Sequence, residues 1–162
     1  MKTKFKQMYM TIAETVATMS HARRLQVGSI VVKEDRIISI GYNGMPAGWD
    51  NNCEYKVYAN EWSVDNNIWE YQEEDSGHPY NLKTKPEVLH AESNAISKLA
   101  KSSESGDGAT IFITHAPCLD CAKLIYQSGI NSVFYRSSYR SDDGIKFLKQ
   151  SGLKVEQIER DN

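Results

Sequence analysis

The chain has little cysteine, no surplus of positive charge and no long apolar run. Three cysteines in 162 residues are too few for a disulfide-built secreted domain, and two of them form a Cys-x-x-Cys pair that in a reducing compartment points to metal or redox chemistry. The net charge of -2 and pI near 6.1 give no long-range attraction for a polyanion, which argues against long nucleic acid as the partner. A small anionic ligand needs only a local cationic pocket. At the amino terminus Phe5, Met8, Tyr9 and Ile12 are interleaved with Lys4, Lys6, Gln7 and Glu14, unlike a signal peptide, and no stretch reaches bilayer length. A cytoplasmic protein without a membrane partner is expected. With 40% hydrophobic and 25% charged residues, the chain suits one domain over residues 1–162 with a sizeable core.

Phe5, Met8, Ile12, Val16 and Met19 recur at three- and four-residue steps, which predicts a helix with that stripe against a core. Val27 to Val32 and Arg36 to Ile40 are β-branched runs joined at Lys33-Glu34-Asp35, the composition of a hairpin. Gly41 to Gly48 then breaks the pattern. Residues 50–86 show no periodicity and form either a lid or an insertion with its own short helix, for which Tyr58, Trp62 and Trp69 supply an apolar anchor. Beyond them the pattern predicts helices at Ala91–Lys101, Cys118–Gln127 and Asp143–Gln150. Strands are predicted at Thr110–Thr114, Ser132–Tyr135 and Leu153–Ile158. This alternation implies a three-layer α/β domain whose mixed sheet is partly parallel. No internal repeat is evident.

His90-Ala91-Glu92 opens one of these helices and Pro117-Cys118-Leu119-Asp120-Cys121 opens another. Pro117 suits a first helical turn, and cysteines three apart share a helix face, so both sulfurs can reach one ion. The partial positive charge of a helix start favours their thiolate forms. His90, Cys118 and Cys121 make three zinc ligands and leave a fourth position open, as in catalytic rather than structural sites. Such a site can bring the pKa of water from 15.7 to roughly 7. Glu92, two residues from His90, is placed to move the proton. The pattern H-x-E followed by P-C-x-x-C is that of the zinc deaminases, and this agreement is a recognition of a known signature. A redox pair, or a closed zinc completed by Cys53, His78 or His115, would explain neither Glu92 nor Pro117.

On Gln26-Val27-Gly28, Gly41-Tyr42-Asn43-Gly44-Met45-Pro46-Ala47-Gly48, His90-Ala91-Glu92-Ser93-Asn94-Ala95-Ile96 and Pro117-Cys118 through Gly129-Ile130, the chain resembles the deoxycytidylate deaminase family of the cytidine deaminase superfold. The resemblance fails only across the middle insertion. It implies an α/β/α fold with a five-stranded mixed sheet, one Zn2+ per subunit, dCMP as substrate and a homo-oligomer, a hexamer. It further implies that the Ala91 N–H meets the base carbonyl, the Ala116 carbonyl the reacting amino group, and Asn43 the sugar, with Tyr139 beside the base. Activation by dCTP and inhibition by dTTP would use an effector site near Gly41 to Gly44, including Tyr42, Asn43 and Gly44, or at a subunit contact. Mg2+ would accompany a triphosphate effector. Cys53 and His78 do not make a second zinc site.

For the phosphate the sequence itself offers His21, Arg23 and Arg24 before the first strand, and Arg136 and Arg140 after the fourth, because guanidinium groups pair well with a phosphate dianion. Rival readings are a zinc deaminase acting on a nucleoside, a pterin or guanine ring, or adenosine in tRNA, and a zinc-stabilised binding module without catalysis. The tRNA reading asks for a basic surface, the nucleoside reading needs no phosphate clamp, and the binding module asks for a closed metal site.

Overall fold

Ile30, Val31 and Val32, buried on both faces, place the strand β1 (Gly28–Lys33) inside the sheet and not at its rim. The computed structural model describes residues 1–59 and 69–160. β1 runs into β2 (Arg36–Tyr42) through Glu34 and Asp35, both at positive φ of 50° and 58°. That is the two-residue turn whose twist suits an antiparallel hairpin. β6 (Thr110–His115), β7 (Ser132–Ser137) and β8 (Lys154–Gln157) complete a five-stranded sheet in the order β2-β1-β6-β7-β8. The numbers between are taken by three strands, β3 to β5, of a second sheet. β1 is antiparallel to β2 and β6, whereas β6, β7 and β8 are parallel, so the expected mixed sheet is present.

Side chains alternate along the strands and divide the core in two. Val31, Ile111, Ile113 and Val133 face Ala95, Leu99, Ala122, Ile125 and Leu148, which lie on α2 (Ala91–Leu99), α3 (Leu119–Gln127) and α4 (Asp143–Gln150). Ile30, Val32, Phe112 and Phe134 face α1 (Thr3–Ala17) on the other side. The result is a three-layer α/β/α fold.

The buried face of α1 keeps Val16 and the partly buried Ile12 of the expected stripe but is otherwise rotated from it. It consists of Tyr9, Met10, Ala13, Val16 and Ala17, while Phe5 and Met8 are 41% and 43% exposed and Met19 lies beyond the helix end. The reason is how closely helix and sheet approach: a Cβ on Gly28 would come within 2.2 Å of the Ala13 carbonyl oxygen. Only a face with alanines at the crossing fits there, so small side chains outweigh large ones.

The expectation of a lid, or of an insertion with its own short helix, falls in part on residues 60–68, which lie outside the described residues. The described part of the insertion is a second antiparallel sheet, β3 (Glu54–Tyr58), β4 (Tyr71–Gln72) and β5 (Pro79–Thr84), in the order β3-β5-β4. Tyr80 bridges it, with ring centroids 5.7 Å from Tyr58 and 5.4 Å from Tyr71. The N–H of Lys85 donates to the Cys53 carbonyl at 2.9 Å and closes its base. Trp62 lies outside the described residues. No described helix is long and apolar enough to cross a membrane.

Candidate active site

His90 and Cys118 are the N-cap residues of α2 and α3, both extended (φ -73°, ψ 154° and φ -67°, ψ 168°), and neither side chain caps its own helix. Each is therefore free to turn toward the other. Cys121, in the first turn of α3, completes the group. Nδ1 of His90 lies 3.6 Å from Sγ of Cys118 and 3.4 Å from Sγ of Cys121. Tetrahedral zinc with ordinary Zn–N and Zn–S bonds requires an N···S separation of roughly 3.6 Å. All three donor atoms lie within 4.8 Å of one another, so the donor set and its spacing fit Zn2+. No fourth His, Cys, Asp or Glu joins this group among the described residues. Cys53 turns its thiol to the Asn51 carbonyl and His78 its ring to the Ala59 carbonyl. Pro117 sits one residue before the cap, not in the first turn as expected.

The close seating of both helices depends on glycine and serine. A Cβ on Gly41 would meet the Ala91 carbonyl oxygen at 2.1 Å, and one on Gly144 would meet that of Pro117 at 2.1 Å. Ser29 and Ser39 donate from the sheet to the carbonyls of Ala91 and Ala95 at 2.8 and 2.7 Å. Gly44 and Leu89 exchange backbone hydrogen bonds at 3.1 and 2.8 Å, anchoring the chain just before His90. Tyr42 is likewise held, its carbonyl accepting from Asn94 Nδ2 at 3.0 Å.

The two thiols of the group are shifted in opposite directions. Hydrogen bonds from Cys121 and His90 bring Cys118 down to about 4, and the bond shared with Cys118, with burial, pushes Cys121 up. The hydrogen bond between His90 and Cys118 raises the pKa of His90. Glu92 is 4% exposed; burial pushes its carboxyl up to about 7, against its own backbone N–H and the attraction of His90. Such a group can both take and return a proton near neutrality.

His90, Ala91, Glu92, Ala116 and Cys118 line a cleft of about 320 Å³, together with Asn43, Arg24, Tyr139 and Arg140. Asn43 Oδ1 accepts from the Val27 N–H at 2.8 Å and its Nδ2 donates to the Leu25 carbonyl at 2.8 Å. One lone pair and one N–H remain to it. Ala91 is the first residue of α2, so its N–H has no partner within the helix. The Ala116 N–H donates to the Ser137 carbonyl at 2.8 Å, orienting that peptide.

The offered cations separate. Arg24 and Arg140 reach the cleft; His21 and Arg23 do not line it. The Arg23 guanidinium lies 5.7 Å over Tyr71 and hydrogen-bonds Tyr80, which raises its pKa. Arg136 is only 9% exposed at its side chain and is occupied by Glu14 at 3.1 Å, Gln7 at 3.2 Å and the Ile158 carbonyl at 2.8 Å. It belongs to the frame and not to a phosphate site. Sequence reasoning missed Glu54, Glu70 and Thr84, which also line the cleft, and offered His115 only as a fourth zinc ligand, whereas it lines the cleft outside the metal group. Burial lowers the pKa of His115. The three from the insertion had no periodic signal to reveal them.

Residues 3–137 match the model of the cytidine and deoxycytidylate deaminase zinc-binding region. ComE operon protein 2 of Bacillus subtilis (strain 168) is 32% identical over 160 residues, covering 96% of this chain and 71% of that protein. Deoxycytidylate deaminase of Enterobacteria phage T4 is 32% identical over 176 residues, covering 93% and 88%. Among solved structures, dCMP deaminase from the cyanophage S-TIM5, in complex with dCMP and dUMP, superimposes with a TM-score of 0.79 at 42% identity, over 98% of this chain and 99% of that one.

Proposed function

Because this chain belongs to the cytidine and deoxycytidylate deaminase family, we propose that it is a dCMP deaminase, hydrolysing dCMP to dUMP and ammonia and so feeding dTMP synthesis. The single observation that carries this reading is Glu92, buried beside a His-Cys-Cys zinc set at the wall of a nucleotide-sized cleft. His90, Cys118 and Cys121 would hold the zinc. When bound there, zinc supplies the Lewis acidity that brings the pKa of water to roughly 7.

Glu92 takes a proton from the attacking water and gives it to the ring nitrogen beside the reacting carbon. It then takes the remaining proton of the added hydroxyl and gives it to the amino group, so that the C–N bond breaks, ammonia leaves and the carbonyl of dUMP forms. The Ala91 N–H holds the base carbonyl and the Ala116 carbonyl the amino group. Asn43 meets the sugar, Tyr139 flanks the base, and Arg24, with Arg140, takes the phosphate.

The family resemblance supports, as part of the same reading, a cytoplasmic homohexamer activated by dCTP and inhibited by dTTP at Tyr42, Asn43 and Gly44, with Mg2+ on the triphosphate. Ammonia release from dCMP, deoxycytidine and a tRNA anticodon stem, with and without dCTP or dTTP, tests it. Turnover of deoxycytidine equal to that of dCMP would remove the nucleotide claim, and indifference to both triphosphates would remove the regulation.

A further inference from the structure

Glu54 uses one carboxylate oxygen and leaves the other idle. Oε1 accepts the N–H of Arg23 at 2.9 Å and of Arg24 at 3.2 Å, bracing the bend before β1. Oε2 is buried and meets no hydrogen-bond donor among the described residues. The residue is 4% exposed. Buried acceptors without a donor are destabilising and rare in folded proteins. Glu54 is also rigidly mounted, as the first residue of β3 and opposite Thr84 of β5. It lines the same cleft as His90 and Glu92. A fixed, unsatisfied acceptor in a ligand cleft is a recognition element awaiting a donor.

The chemistry of the donor follows from what else is present. Arg24, whose Nη1 lies 3.2 Å from Thr84 Oγ1, lines the cleft beside Glu54 and suits an anion. A phosphate would be repelled by the Glu54 carboxylate, and the exocyclic amino group belongs at the Glu92 end. In a 2′-deoxynucleoside 5′-monophosphate the remaining donor is the 3′-hydroxyl. Resting on the dCMP reading above, we infer that Glu54 is a specificity-determining residue whose Oε2 accepts a hydrogen bond from the 3′-hydroxyl of the substrate sugar. A nucleotide within a polynucleotide has that oxygen esterified and has no proton to offer. The same contact therefore selects free mononucleotides over chains.

The test compares kcat/KM for dCMP and 2′,3′-dideoxycytidine 5′-monophosphate in the zinc-loaded wild type and in Glu54→Gln. Glutamine keeps a carbonyl for the two arginine N–H groups but can put an amide donor where Oε2 stood. The wild type is expected to prefer dCMP by roughly 10–100-fold, the range for a hydrogen bond to a charged group, and Glu54→Gln to lose most of that preference. Equal turnover of both nucleotides by the wild type overturns the inference, as does an unchanged preference in a folded Glu54→Gln protein. If the variant fails to load zinc, the 3′-fluoro analogue of dCMP decides with wild type alone: it matches the hydroxyl in size but cannot donate, so turnover equal to dCMP overturns the contact and rejection supports it. Absence of dCMP turnover by zinc-loaded wild type defeats the deaminase reading itself, and this inference with it.

Discussion

Nδ1 of His90 lies 3.4 Å from Sγ of Cys121, although 31 residues separate them in the chain. Two helix starts are thus fastened at one point, and an ion there acts as both cofactor and staple. We predict close to one zinc per chain and loss of activity on chelation. A metal present at about 100 times its dissociation constant adds about 2.7 kcal/mol of stability, so chelation should lower Tm by roughly 5–10 °C for a chain of this size. Calorimetry with and without chelator checks this, and an unchanged Tm would remove the staple.

Glu92→Gln keeps the shape of the side chain and removes its ability to carry a proton. The expected product is a folded, zinc-loaded protein whose kcat falls by roughly 10²–10⁴-fold, the usual contribution of a positioned acid-base group. Ammonia release and metal content measured on the same sample decide it. Wild-type turnover in this variant would discard the proton shuttle.

Arg24→Ala removes a cation from the cleft while leaving His90, Cys118 and Cys121 intact. Its expected effect is a rise in KM for dCMP of roughly 10–100-fold, as for a lost hydrogen bond to a charged group, with deoxycytidine little affected. If the ratio between nucleotide and nucleoside is unaltered, Arg24 does not hold the phosphate.

Gly144→Ala places a Cβ 2.1 Å from the Pro117 carbonyl oxygen and 2.9 Å from that of Cys118. Neither neighbour is the tip of a flexible side chain, so backbone must shift. We expect a destabilisation of about 1–3 kcal/mol together with weaker zinc retention against a competing chelator. A variant with wild-type zinc affinity would mean that α4 does not brace the ligand loop.

Legibility in the sequence followed the source of each signal. Ile30, Val31 and Val32, and likewise Ile111, Phe112 and Ile113, are buried on both faces, and a β-branched or aromatic run reveals such strands without knowledge of their neighbours. His90, Glu92, Cys118 and Cys121 stood out because their chemistry depends on residue type at short spacing. The strand at Glu54–Tyr58 was hidden, since four of its five residues are exposed and no apolar alternation remains. Glu54 was hidden for a further reason: its importance comes from Arg23 and Arg24, 31 and 30 residues away. On α1, the large apolar residues predicted Ile12 and Val16 correctly but not the rest of the buried face, because the approach to Gly28 rewards alanine, a preference set by the sheet.

The hydrogen bond from Lys85 to Cys53 makes the small sheet a handle whose two attachment points meet. Lengthening such a loop costs little, about 0.6 kcal/mol per doubling, and need not disturb the path from Gly44 through Leu89 to His90. Segments exchanged between these points would alter which molecules are admitted while leaving the bond-breaking apparatus untouched, which makes the handle the natural place to retarget the protein by grafting.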